Sequence, residues 1–415
     1  MIIVIMNIAG IYVNEVSTFE YGDNIAVIKK IDNDLMVMTD ETAIAYLTER
    51  IDICRILVSM YVYKDIPDSK VYKMSLQSLK TKYPSYDIEY ILSNINPLEY
   101  SIYTHDITTE INLLDTKLKE VQNTYGYNNY LGAIILKAQE ISDTSLFQTS
   151  EFTKRNSQKT LDDYVSLDVK KVEYNSSKGI ICATSNRITL ILSVLMVMFI
   201  CIQVFVKDKE NNTIELLKTM KYGRVRLITA KAVALFLMVI AAGVLLNLSS
   251  LFVSSLIYGL GDFSAPIQSV TGFMTSTYGI TVLQYILIFN VYNIVTLALT
   301  GLLMLLIFIL FKKALYGYIG ILVFFGLSIT LNMVIDPVSS LNIFKYINIY
   351  NFLDSSGIIG RYLNINIFGF PISLSDIFRV SLIIGTSVAL TACIKVFSVQ
   401  KIKPESRGLN RINIG

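Results

Sequence analysis

The sequence predicts a mostly α, polytopic helical membrane protein with about six spans and a large, mostly helical extracytoplasmic domain between the first and second. Three observations predict it. Apolar residues make up 53% of the chain and charged ones only 17%, against roughly 25% charged in an average soluble chain. The apolar residues gather in the C-terminal half, in five runs long enough to cross a hydrocarbon core of about 30 Å. The charge is divided as well: residues 14–185 hold 18 Lys and Arg against 25 Asp and Glu, and the rest of the chain holds 18 against 8. An acidic, soluble-looking block is therefore set into a basic, apolar chain.

The five runs fall at about 188–206, 232–258, 280–311, 314–335 and 377–399. The first carries no charge. The third contains Asn290 and Asn293, expected to line the span toward other helices because an unpaired amide in lipid is costly. Arg379 and Lys395 stand near opposite ends of the fifth, where both can snorkel. Residues 1–13, MIIVIMNIAGIYV, would cover only about 20 Å as a helix at about 1.5 Å per residue. They are read as the second half of an initial span, because a cleaved signal peptide would want a basic start and a small-x-small site, and neither is present. The expected organisation is a partial first helix at 1–13, an extracytoplasmic domain at 14–186, a transmembrane domain at 187–400 and a cytoplasmic tail at 401–415.

Orientation follows from lysine and arginine in short loops, which stay on the cytoplasmic side. Between the first two runs lie Lys207, Lys209, Lys218, Lys221, Arg224, Arg226 and Lys231, whereas 259–279 has no basic residue. Lys312 and Lys313 follow the third run, 336–376 has only Lys345 and Arg361, and the tail carries Lys401, Lys403, Arg407 and Arg411. This alternation places the C-terminus in the cytoplasm and the block before Arg187 outside a cell membrane.

Within that block, residues 40–63 have helical spacing, with Thr39 or Asp40 placed as a cap. Residues 107–124 read as an amphipathic helix with Ile111, Leu114, Leu118 and Val121 on one face and Lys117, Lys119 and Glu120 away from it. Residues 130–141 read as a third helix, and 27–38 as a hairpin around Asn33-Asp34. The many tyrosines suit core and rim packing. The lone His105, the absence of HExxH and the wide spacing of Cys54, Cys182, Cys201 and Cys393 argue against a metal site or imidazole catalysis. Cys201 and Cys393 fall in spans as apolar packing, and pairing of Cys54 with Cys182 stays open. Gly259-Leu260-Gly261-Asp262 matches the GxGD string of intramembrane aspartyl proteases, but those need a second membrane-embedded aspartate and no span offers one.

The segment 207–231 reads KDKENNTIELLKTMKYGRVRLITAK. Asn211 or Asn212 can cap a short helix from Thr213 to about Lys221, with Glu215 suiting its N-terminal partial charge and Lys218 and Lys221 its C-terminal one. Gly223 is expected to end it. The plain reading is a basic surface helix on anionic lipid, worth about 1 kcal/mol per basic residue. The segment also resembles the ABC-2 type permeases of ATP-binding-cassette exporters: Glu210, Thr213, Glu215, Leu216, Leu217, Arg224 and Lys231 fit that family's run of span end, short cytoplasmic helix, basic turn and next span. The order of parts is similar too, one span, a large external domain and five further spans. In this likeness the segment before the last span, with NIFKYINIYNFLDSSG, stands for an aromatic external hairpin.

The resemblance implies a transport subunit rather than an enzyme. Residues 211–223 would be its coupling helix, with Glu210, Thr213, Glu215, Leu216, Leu217, Lys218 and Arg224 facing a cytoplasmic ATPase. No G-x-x-x-x-G-K-[ST] loop occurs, so ATP would be hydrolysed by a partner chain and this chain would bind no cofactor itself. Expected partners are that ATPase, a second permease copy or paralogue, and membrane lipid, but no nucleic acid. The absence of charge deep in the spans argues against an ion-coupled pump and suits an amphipathic or hydrophobic exported cargo. The alternatives are a mechanotransmission-type permease, which would have three spans after the external block where five are counted, and a membrane-anchored receptor or signalling protein.

Overall fold

Helical spacing of apolar residues, rather than strict alternation, runs through almost every segment of the chain, and the computed structural model is accordingly mostly helical. It describes residues 2–17, 23–62, 73, 77–78, 80–81, 107–143, 150–169, 171–211, 213–214, 223–311, 313–336 and 342–399. In chain order these form α1 (Ile2–Tyr12) with a π turn at Val13–Ser17, α2 (Asp23–Val37), α3 (Asp40–Val62), α4 (Ile107–Tyr125), α5 (Tyr127–Asp143) and α6 (Glu151–Val165). There follow α7 (Lys178–Ser185), α8 (Arg187–Cys201) with a π turn at Ile202–Val206, α9 (Lys207–Glu210), α10 (Gly223–Ile257), α11 (Val282–Leu310) and α12 (Ala314–Val334). Three five-residue helices, α13 (Asn342–Tyr346), α14 (Ile349–Leu353) and α15 (Ser356–Gly360), precede β1 (Asn364–Ile367), β2 (Phe370–Ser373) and α16 (Leu374–Val399).

Five helical stretches are long and apolar enough to cross a membrane: Lys178–Glu210, Arg224–Ile257, Val282–Leu310, Ala314–Val334 and Leu374–Val399. They correspond one for one with the five apolar runs and mark the chain as a membrane protein. The first two extend well past the runs, through Lys207–Glu210 and back to Arg224, because lysine and arginine are good helix formers and a helix need not stop where its hydropathy does. The apolar helix Ile2–Val16 is shorter. The chain divides into two compact units, one of Met1–Leu192, Leu245–Tyr292 and Asp354–Asp376, the other of Ser193–Val244, Asn293–Leu353 and Ile377–Gly415.

In the first unit α3 packs on α4, α5 on α6, and α6 on β2. Residues 27–38, expected as a hairpin, belong instead to α2: Ile28, Ile31 and Leu35 recur at helical spacing and are all buried, Ile31 and Leu35 in one core with Leu47, Ile51, Leu114 and Val121. That spacing buries one stripe of a helix, whereas Asn33-Asp34 as a turn would have split it. The expected helices at 40–63, 107–124 and 130–141 are present as α3, α4 and α5. Thr39 Oγ1 accepts from the Thr42 N–H at 3.4 Å, and Ser150 Oγ accepts from Thr153 N–H at 3.1 Å to cap α6. A second core gathers Ile180, Ile267, Val270, Phe273, Val282, Tyr285 and Ile359. Gly179 is required there, because a Cβ on it would lie 1.7 Å from the Gly259 carbonyl oxygen.

Helix α1 is held by an apolar core, in which Ile8 and Ile11 meet Cys182, Val253 and Ile257, and by one buried amide. Asn7 is fully buried, its amide nitrogen donating to Ser249 Oγ (2.8 Å), Ser250 Oγ (3.0 Å) and the Leu246 carbonyl (3.4 Å), while its Oδ1 accepts from Thr189 Oγ1 at 2.9 Å. One side chain thus ties α1 to α8 and α10.

In the second unit α12 packs on α13 and α14. Rings meet edge to face at Phe205–Phe397 (6.1 Å) and Phe352–Phe378 (5.1 Å). Cys201 and Cys393 donate to the Gly301 and Leu302 carbonyls at 3.5 and 3.4 Å. All four cysteines are free and buried, so Cys54 and Cys182 do not pair. The described part of 336–376 differs from a single aromatic hairpin: its aromatic stretch forms α13 and α14, and the hairpin is the later β1–β2 pair, registered Asn364↔Ser373 to Ile367↔Phe370.

Replacing Asn7 by Leu leaves four polar groups in an apolar surround without that partner, at about 1–3 kcal/mol. Asn7→Leu should lower the midpoint of thermal unfolding of the detergent-solubilised protein, followed by helical circular dichroism. An unchanged midpoint would show that the amide does not hold α1.

Candidate functional site

Helix C-termini leave their last four carbonyls without intrahelical donors and carry about half a negative charge. In the second unit two cations answer this need, and a third answers the similar need of a π turn. Lys209 Nζ, on α9, donates to the Phe308 carbonyl at 2.6 Å and also to that of Phe311, at the end of α11. Arg224, the second residue of α10, donates from Nη1 to the Ser398 carbonyl at 3.3 Å, in the last turn of α16. Lys231, one helical face further along α10 and buried, donates to the Val204 carbonyl within the π turn that follows α8 and pairs with Asp208 Oδ2 at 2.5 Å. The π register, in which Lys207 N–H reaches back to the Ile202 carbonyl, opens the ladder at the place where a side chain can enter it. The ends of α11 and α16, and the π turn inside the helical stretch Lys178–Glu210, are therefore gripped from α9 and the first turns of α10.

A second charged centre lies in the first unit. Lys117 Nζ meets Asp32 Oδ1 at 2.8 Å, Glu120 Oε2 at 3.0 Å and Tyr174 OH at 3.2 Å. Tyr174 OH donates to Asp32 Oδ1 at 2.6 Å, and Ser176 Oγ to Asp32 Oδ2 at 2.9 Å. Burial acts to lower the Lys117 pKa, but the Asp32 and Glu120 carboxylates outweigh it and hold the ammonium above the ordinary lysine value. Burial, then the charge of Asp32, pushes the Tyr174 phenol up. Both groups thus stay protonated at neutral pH, and the stability they contribute is lost only as pH rises past the ordinary lysine and tyrosine values. Lys117 was expected on the solvent side of α4. It lies three residues from Leu114 and four from Val121, on the buried stripe, and tolerates that place only because Asp32 on α2 neutralises it.

No family model, curated protein or solved structure matches the chain. The assignment of a site therefore rests on the chemistry of its own residues.

Of the residues expected to face an ATPase, Glu210 ends α9 and is exposed, Thr213 is helical and exposed, and Arg224 is half-buried on the Ser398 carbonyl. Glu215, Leu216, Leu217 and Lys218 lie outside the described residues. Two details of the expected short helix differ. Asn211 is the C-cap of α9, its N–H donating to the Lys207 carbonyl at 3.1 Å, and Gly223 is the first residue of α10. Asn290 donates to the Ile286 carbonyl of its own helix at 2.7 Å, and Asn293 is buried. Asp262 of the GxGD string accepts from Ser264 N–H and Oγ, each at 2.8 Å, which is turn chemistry. Sequence reasoning missed Lys209 as a cap and Asp208 as the partner of Lys231. The available signal was a lysine just beyond the end of an apolar run, where it can reach back to orphan carbonyls.

Lys231→Met leaves the Val204 carbonyl and Asp208 without their cation and should lower the thermal midpoint of the purified protein by the equivalent of about 1–3 kcal/mol, more than Lys207→Met, since Lys207 is exposed. Equal midpoints for the two variants would remove the structural role of Lys231. Lys117→Met strands buried carboxylates and should cost about 3–5 kcal/mol. Its readout is limited proteolysis of 23–143, which should become rapid, while resistance equal to that of the unaltered chain would overturn the ion pair's importance.

Proposed function

We propose that the chain is the membrane-spanning permease subunit of an ABC transporter, forming with a second copy or a paralogue the path for an exported substrate and driven by a separate ATPase. The observation that carries this reading is the grip of Lys209 and Arg224 on the ends of α11 and α16 and of Lys231 on the π turn that follows α8. The segment between α9 and α10 is flanked on both sides by those cations. A displacement of it would pull on three membrane helices together, which is what a coupling element between a motor and a permease must do. Nucleotide-driven motion would then act as a population shift between two packed arrangements.

Three further features support the reading. Glu210 and Thr213, which fit the ABC-2 pattern, are exposed at the entrance to that segment. The lysines and arginines follow the positive-inside rule, with the α9–α10 connection basic and 259–279 free of basic residues; on this rule the α2–α6 lobe is extracytoplasmic and the C-terminus cytoplasmic. The sequence carries no phosphate-binding loop of its own, as expected of a subunit whose ATPase is another chain. Glu215, Leu216, Leu217 and Lys218 would complete the contact with that ATPase, and Asn290 and Asn293 would offer polar groups to the path.

Affinity purification of the tagged chain from native membranes in mild detergent should recover an ATPase chain in stoichiometric amount, and Glu215→Arg should abolish its recovery while leaving the permease in the membrane. An intact permease that reproducibly recovers no ATPase would replace this reading by a membrane-anchored receptor.

A further inference from the structure

The β1–β2 hairpin has three properties that fit no need of its own folding. Its two-residue loop, Phe368-Gly369, has positive φ at both positions, 51° and 86°. That is a type I′ turn, whose first position favours Asn, Asp or Gly and is a rare conformation for a bulky side chain. The side chain held there is Phe368, 98% exposed. Second, the pair is amphipathic. Directly opposed residues share a face, so the register puts Ile365, Ile367, Phe370 and Ile372 on one side and Asn364, Asn366, Pro371 and Ser373 on the other. The apolar side is buried by protein at its base, where Ile365 is 1% exposed, and emerges toward the tip, where Phe370 is 57% exposed. Third, β2 runs without an intervening residue into α16, one of the helices able to cross a membrane. Phe368 is six residues from Leu374, so at about 3.4 Å per residue the tip can be no more than about 20 Å from the start of that helix.

We infer that the hairpin is an interfacial membrane anchor, lying along the bilayer surface with Phe368, Phe370 and Ile372 in the boundary between headgroups and acyl chains. A polar strand face held to α6 at its base, where Asn364 donates to Asn156 at 2.9 Å, and open at Asn366 near the tip, opposite an apolar face that emerges at that same tip, suits an element lying at an interface. Arg155 completes it. Its guanidinium stacks over the Phe370 ring at 4.5 Å, donates to the Gly369 carbonyl at 3.3 Å and meets the Glu151 carboxylate at 3.3 Å, fixing the aromatic tip against α6. The bilayer is the occupant the structure favours because the hairpin is covalently continuous with a spanning helix, which holds its tip within reach of the same membrane. The inference is independent of the transport reading and would hold for a receptor equally well.

The chain contains no tryptophan, so Phe368→Trp in the full-length protein gives a single emission signal. In vesicles of phosphatidylcholine and phosphatidylglycerol that emission should be blue-shifted, shielded from iodide, and lost for the most part when the phosphatidylcholine carries brominated acyl chains. Phe370→Trp supplies the same reading if the first variant does not fold. Emission typical of water, quenched by iodide and indifferent to brominated lipid, would overturn the anchor. A blue-shifted emission that ignores brominated lipid and reddens as the protein is diluted in the bilayer would overturn it in favour of a contact between two copies.

Discussion

A backbone carbonyl inside the hydrocarbon of a bilayer has no water to accept from, and one at a helix end, left without its intrahelical donor, gains from a protein donor wherever packing restricts water. That constraint organises the second unit. Two of its helices, α11 and α16, end on carbonyls met by Lys209 and Arg224, and the carbonyl of Val204, in the π turn that follows α8, is met by Lys231. Each is long enough to span the gap between helix ends and carries the charge that the end of a helix dipole attracts. The same lysines and arginines are those the positive-inside rule counts. Three of the residues this rule counts are thus structural donors as well, and replacing them would loosen the packing of the helices they reach.

The first unit rests on buried polar contacts of a different sort. A buried ion pair such as Asp32–Lys117 is weak evidence for stability, since its desolvation cost offsets much of its attraction. Its effect is on register. Asp32 also accepts from Tyr174 and Ser176, so α2, α4 and the stretch leading into α7 meet at one carboxylate, and a slip of any of them would strand a charge. Asn7 does the same for α1, α8 and α10 with neutral groups. Apolar packing alone would tolerate several rotations of these helices, whereas the polar groups accept one.

Much of the fold was legible because hydropathy is additive along a helix. Five runs of apolar residues map onto five long helices, and α3, α4 and α5 follow from spacing and caps. The errors came where a local signal competed with a tertiary one. Asn33-Asp34 is a good turn pair, yet α2 forms because Ile31 and Leu35 face a core contributed by α3 and α4, with Ile28 buried on the same stripe, which no window around residue 33 reveals. Lys117 was placed in solvent because its partner lies 85 positions earlier in the sequence, on α2. The β1–β2 hairpin escaped notice because four-residue strands give too little alternation to stand out, and Phe-Gly is not a usual turn signal. Of the candidate site, the basic character of 207–231 was legible. The pairing of Lys231 with Asp208 and of Lys209 with α11 was not, since it depends on which helix ends become neighbours.

The four cysteines are free and buried, and this bears on how the protein is made. Small domains in oxidising compartments commonly draw stability from disulfides. The α2–α6 lobe instead closes around an ion pair and an aliphatic core, with Cys54 serving as one more apolar side chain within it. No disulfide has to form for that core to close. It is complete only when Tyr174 and Ser176, which follow α6, have joined α2, α3 and α4, so its closure waits on the chain beyond the helices it joins.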